Sequence, residues 1–291
     1  MLLHRRSLLG ALAALGGGAC GTAWAASNSF EVKRLSVKGK HASRFDLLVP
    51  KHLAKEEKVR LLVALHGLGE SHDPELGAAA WVDRYGLGTS YERLRAPPIV
   101  KTGKRGDWTD DRLSEVNAAL KKRPFSGLAV ACPFTPNFKD VADRGKAIRE
   151  YGEWIVGEVV PLARKEAPCS TSASATALDG CSMGGPFALD IFIQHPDAFG
   201  AVGTVQGAFG EQRAPKYAEQ LADVVDKHGA KSIHLLSSEG DKFKGSAKAL
   251  GSELTKRKVP NTVRIIPGPH DQPWLREAGT IEMLLFHERR P

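Results

Sequence analysis

From residue 59 to 65 the chain reads Val-Arg-Leu-Leu-Val-Ala-Leu, apolar at all but one position. So short and unbroken an apolar run predicts a strand buried on both faces, as in a parallel sheet. Further short apolar runs lie at 127–132, 175–178, 201–205, 232–236 and 262–266. Before them, 30–37 and 44–50 place apolar residues roughly every second or third position, which suits strands with a solvated face. Between the runs the period changes. Ile148, Tyr151, Ile155 and Val159 recur at steps of three and four, as an amphipathic helix requires. Residues 187–193, 247–254 and 274–286 also read as helices. Strands alternating with helices predict a mostly parallel, twisted sheet with helices on both faces. No repeat or linker interrupts the pattern, so the body of the chain, residues 26–291, reads as a single domain.

Composition changes this picture little. The 291 residues are 42% hydrophobic and 25% charged, as in ordinary globular proteins. A formal charge of +8 comes from 41 basic residues among 33 acidic ones, a mixed surface that argues against a nucleic-acid partner. No apolar run reaches the roughly 18–20 residues of a membrane span, so no stable membrane insertion is expected once a signal is removed.

Residues 1–25 are patterned differently. Arg5 and Arg6 precede an Ala/Leu/Gly stretch that ends at Ala23-Trp24-Ala25, the layout of an export signal. The arginine pair followed by Ser7-Leu8-Leu9 resembles the twin-arginine signal, with His4, Leu8 and Gly10 departing from its usual residues. A general secretory signal is the alternative, and a lipoprotein anchored through Cys20 a further one. Each implies a periplasmic or secreted protein. The body of the chain holds Cys132, Cys169 and Cys181 without a C-x-x-C pair, so zinc-ribbon and thioredoxin chemistries find no support; burial as small hydrophobes is expected.

The chemistry concentrates after the run at 175–178. Gly180-Cys181-Ser182-Met183-Gly184 is a G-x-S-x-G sequence, which sets a serine on a sharp strand-to-helix turn with its hydroxyl exposed. Serine needs a base, and the base an orienting carboxylate. Two later runs end in such groups. One leads to Glu239 and Asp241, the other through Pro267-Gly268-Pro269 to His270. Ser182, Asp241 and His270 are therefore the candidate catalytic residues, with Glu239 the alternative acid; Asp271 adjoins the histidine and suits the role poorly. For an oxyanion, the backbone N–H groups of Met183 and Leu68 are the candidates, Leu68 lying in His66-Gly67-Leu68-Gly69. His66 is expected to be structural.

These motifs taken together resemble those of the α/β-hydrolase superfamily, esterase type. The chain is similar to small bacterial esterases and to polyhydroxybutyrate depolymerase and feruloyl-esterase relatives, which pair an H-G-x-G loop with G-x-S-M-G-G and a late G-x-H. The resemblance runs from about residue 30 to the end. It implies the α/β-hydrolase fold, a Ser-Asp-His triad, an acyl-enzyme intermediate, and a small-molecule or polymer ester as substrate. A peptidase or acyltransferase with the same triad, or an inactive fold used for binding, are the alternatives. About 25 residues separate the sixth and seventh strands, too few for a large cap domain. Residues 67–126 form a long excursion instead. We expect it either to face substrate through Trp81, Tyr85, Tyr91 and Trp108, beside Lys101, Lys104 and Arg105, or to be a partly disordered decoration. Without nucleotide or metal motifs, no cofactor and no metal are expected.

Overall fold

The computed structural model describes residues 29–291, so the signal expected at 1–25 lies outside the described residues. Its strands are β1 (Phe30–Ser36), β2 (Arg44–Pro50), β3 (Arg60–Leu65), β4 (Leu128–Pro133), β5 (Thr176–Gly180), β6 (Ala201–Val205), β7 (Ser232–Gly240) and β8 (Thr262–Pro269). They form one sheet in the order β1-β2-β4-β3-β5-β6-β7-β8. β1 pairs antiparallel with β2, and β2 with β4; every other pairing is parallel.

Strand alternation divides the core in two. Leu61, Val63 and Leu65 of β3 enter one buried layer, and Leu62 and Ala64 the other. Ala129 and Ala131 of β4 likewise oppose Leu128, Val130 and Cys132.

The excursion at 67–126 is ordered. It carries α1 (Pro74–Ala78), α2 (Ala80–Asp83), α3 (Leu87–Arg95) and α4 (Asp110–Lys122). The reading of a disordered decoration therefore fails, because these segments supply one layer of the core. Later helices are α5 (Arg144–Trp154), α6 (Val160–Glu166), α7 (Gly184–Gln194), α8 (Ala214–His228), α9 (Lys244–Lys256), α10 (Gln272–Trp274) and α11 (Thr280–Arg289). The expected helices at 187–193 and 247–254 lie inside α7 and α9. Two single π-turns, Ile155–Val159 and Leu275–Gly279, join α5 to α6 and α10 to α11. Between β6 and β7 stand only one 3-10 turn and α8, so no large cap covers the carboxyl ends of the central strands. This is the α/β-hydrolase architecture. Among the described residues no helix is long and apolar enough to cross a membrane.

Candidate active site

Three strand ends converge. Cys181, just past β5, bridges to Val205 at the end of β6, and the Ser182 N–H donates to the Val205 carbonyl at 2.9 Å. Ser182 has a φ of 51°, a left-handed conformation that costs a non-glycine residue energy and turns its hydroxyl out of the sheet. The turn works because α7 can start against the sheet. A Cβ at Gly184 would lie 2.6 Å from the Leu65 carbonyl oxygen.

The other two ends are set by register. Gly240 of β7 pairs with Pro269 of β8 after an irregularity at Ser238–Gly240, so Asp241 and His270 leave neighbouring strands side by side. His270 Nδ1 lies 2.8 Å from Asp241 Oδ1, and its Nε2 lies 3.1 Å from Ser182 Oγ. The ionised acid can only accept, so the imidazole carries its proton on Nδ1 and presents Nε2 to the serine as an acceptor. Burial alone would raise the Asp241 pKa. Hydrogen bonds from His270, the Ser237 hydroxyl (2.6 Å) and the Phe243 N–H (2.9 Å) outweigh burial and hold the carboxyl below its ordinary value. Glu239, the alternative acid, is exposed and pairs with Lys244 at 2.8 Å, away from the imidazole.

The loop before α1 faces the serine from β3. A Cβ at Gly67 would meet Ser182 Cβ at 3.5 Å. His66 orients this loop. Its Nε2 accepts from the Thr135 N–H at 2.8 Å, so the proton sits on Nδ1, which donates to the Gly67 carbonyl at 2.8 Å. In a trans peptide the Leu68 N–H then points away from His66. Burial lowers the His66 pKa to about 4, so the ring stays neutral and this tautomer persists. No backbone hydrogen bond in the loops of the described residues uses the N–H of Leu68 or of Met183. Leu68, next along the loop from Gly67, is 55% exposed.

The aromatic residues expected to face substrate do not. Trp81 and Tyr91 are fully buried, and Trp108 is 3% exposed with its indole N–H donating to the Glu277 carbonyl at 3.0 Å. They fill the layer between the excursion helices and the sheet, because helices that cover a sheet face need a core of their own. Tyr85 is buried too, but its hydroxyl reaches the site: it accepts from the Gly67 N–H at 3.2 Å and donates to Glu70. Of the basic residues there, Lys101 pairs with Asp110 and Arg105 with two carboxylates.

Several supporting contacts gave no sequence signal. Buried Glu70 also accepts from Gln272 Nε2 at 2.8 Å, tying the Leu68 loop to the histidine loop. Arg105 donates through Nε to buried Asp107 at 2.8 Å and through both terminal nitrogens to Asp271 at 3.0 and 3.1 Å. Asp107 lies under the turn at Gly268, whose φ of 115° requires glycine. Gln206, itself at φ 52°, donates to the Ser238 hydroxyl and the Pro269 carbonyl. Each contact joins residues far apart in sequence.

Cys132, Cys169 and Cys181 are buried and unpaired, and desolvation pushes each thiol pKa upward. Among the described residues no three His, Cys, Asp or Glu side chains are grouped to hold a metal ion.

The Esterase family model matches residues 127–271, which include Ser182, Asp241 and His270. A search of curated protein sequences finds no match. Among solved structures, a ferulic acid esterase superposes with a TM-score of 0.66 at 17% identity, covering 90% of this chain and 99% of its own. A fluorophosphonate-binding serine hydrolase of Staphylococcus aureus gives 0.60 at 13% identity, covering 90% and 99%. An S-formylglutathione hydrolase of Agrobacterium tumefaciens gives 0.59 at 15%, covering 91% and 96%. The fold is that of the α/β-hydrolases. With the match to the Esterase family, the class is that of serine hydrolases acting on carboxylic esters.

Proposed function

We propose that Ser182 attacks the carbonyl carbon of a carboxylic ester, with His270 as general base and Asp241 as the group that orients it. The observation that carries this reading is the unbroken contact from Ser182 Oγ through His270 to Asp241. As the Ser182 oxygen bonds to carbon, its proton passes to His270 Nε2 and the carbonyl becomes an oxyanion. The N–H groups of Leu68 and Met183 are its proposed donors; one such donor is worth about 10²–10³ in kcat. Asp241 stabilises the imidazolium without taking its proton. The intermediate collapses, the alcohol leaves with the proton from His270, and an acyl group remains on Ser182. Water, deprotonated by the same imidazole, then releases the acid.

For substrate we propose a short or aromatic acyl group on a polar alcohol. The absence of a large cap and the exposed Leu68 support this, as do structural neighbours described as a ferulic acid esterase and an S-formylglutathione hydrolase. The test is a panel of methyl ferulate, p-nitrophenyl acetate, butyrate and decanoate, S-formylglutathione and peptide amides. Higher kcat/KM for methyl ferulate or the short esters than for decanoate supports the reading. Decanoate as best substrate contradicts it, and preferred cleavage of peptides favours the peptidase alternative. We also propose export through residues 1–25. Arg5→Lys with Arg6→Lys should then block export, and unchanged delivery would instead favour the general secretory route.

A further inference from the structure

Asp46 breaks the pattern of its strand. Phe45, Leu47, Leu48 and Val49 on β2 are all buried apolar residues, yet between them stands a carboxylate that is only 4% exposed. A buried carboxylate normally has an ion-pair or hydrogen-bond partner, because desolvating it alone is costly. Asp46 has neither among the described residues. It lines a cavity of about 360 Å³ between β1, β2 and α1, within the size range of small-molecule sites.

The other charged groups of that cavity are mostly engaged. Arg44 pairs with Glu75 at 2.8 Å. Asp73 accepts the N–H groups of Glu75 and Leu76 at 2.8 and 2.9 Å, capping α1. Arg34 stands opposite Asp46 in the β1–β2 register but makes no ion pair with it. Asp83, also lining the cavity, is exposed and makes no ion pair. Asp46 and Asp83 thus leave acceptor capacity that the described residues do not fill, with Arg34 beside them in no ion pair. Among the described residues, no third His, Cys, Asp or Glu joins them in a metal-binding group.

We propose that this cavity binds a small aliphatic ammonium ligand, its cationic head against Asp46 and its remainder directed toward Asp83. An ammonium group has three donors and no acceptor, so it suits a carboxylate that lacks donors. Burial raises the Asp46 pKa to about 6, with Asp83 adding to the rise and the Arg34 charge offsetting only part of it. The inference does not depend on the esterase reading.

The test is thermal unfolding of the intact protein at pH 8 with 1,4-diaminobutane, against 1,4-butanediol and against sodium chloride at matched ionic strength. The expected result is a saturable rise in Tm with the diamine alone, about 5 °C at concentrations roughly 100-fold above Kd. Asp46→Asn should raise the apparent Kd at least about tenfold. Ala79→Leu, which fills the cavity from its wall, should do the same and decides the matter if Asp46→Asn gives no cooperative melt. A diamine effect no larger than that of the salt overturns the proposal. So does a folded Asp46→Asn or Ala79→Leu protein that responds like the wild type.

Discussion

At the scale of single residues, the site is defined by what each group can no longer do. Asp241 has its oxygens occupied by His270, Ser237 and Phe243, so it holds one imidazole tautomer. Ser182→Ala should lower kcat by roughly 10⁴–10⁶-fold with the fold intact, and adding His270→Ala should cost little more, since the pair acts as a unit. Asp241→Asn should cost about 10⁴-fold in kcat by favouring the wrong tautomer. Glu239→Gln should leave the same assay within about twofold, because its carboxylate meets Lys244 instead. Choosing Asp241 over Glu239 from sequence required the residue types and their order after a strand. The placement of Asp241 beside His270 depends on the register shift before Gly240, which no local pattern encodes. His66 was legible only as structural. Its hold on the Gly67 carbonyl depends on Thr135, 69 residues away in sequence.

At the scale of elements, the excursion between β3 and β4 is where sequence reading and structure part. Aromatic residues spaced through a charged, glycine-rich segment look alike whether they line a rim or fill a core. Here α2, α3 and α4 pack on the sheet, and the aromatics go beneath them. Trp108→Ala should therefore destabilise the protein by about 3–5 kcal/mol in urea unfolding rather than alter acyl preference. A stable variant with changed selectivity would restore the substrate-facing reading. Arg105 clips the same excursion to the histidine loop through Asp107 and Asp271. Arg105→Ala should lower kcat about 10–100-fold with little change in KM, and Arg105→Lys should recover part of it, as small misplacements of catalytic groups are costly. On β2, Asp46 gives a pH test. Its folded pKa, about 6, lies above the unfolded value of 3.8. The folded state therefore holds the proton longer, and the group costs stability progressively as pH rises from 3.8 through 6. Asp46→Asn should gain about 3 kcal/mol over wild type at pH 8 and almost nothing at pH 4, measured by urea melts. An equal difference at both values would show that burial does not govern this carboxyl.

At the scale of the whole molecule, the strand order brings three distant segments to one edge. Ser182 follows β5, Asp241 follows β7, and His270 follows β8, all at carboxyl ends of parallel strands. That much was legible, because buried parallel strands have distinctive apolar runs and the triad occurs in a fixed chain order. The supporting contacts from Glu70, Arg105 and Gln206 were not, since each depends on the closed sheet. Intact-protein mass spectrometry after treatment with a fluorophosphonate tests whether Ser182 is the nucleophile. The expected result is one adduct per chain, mapped to Ser182, with ester turnover lost in parallel and no adduct on Ser182→Ala. Labelling of Ser182→Ala equal to wild type, or turnover by that variant above about a tenth of the wild-type rate, would contradict it.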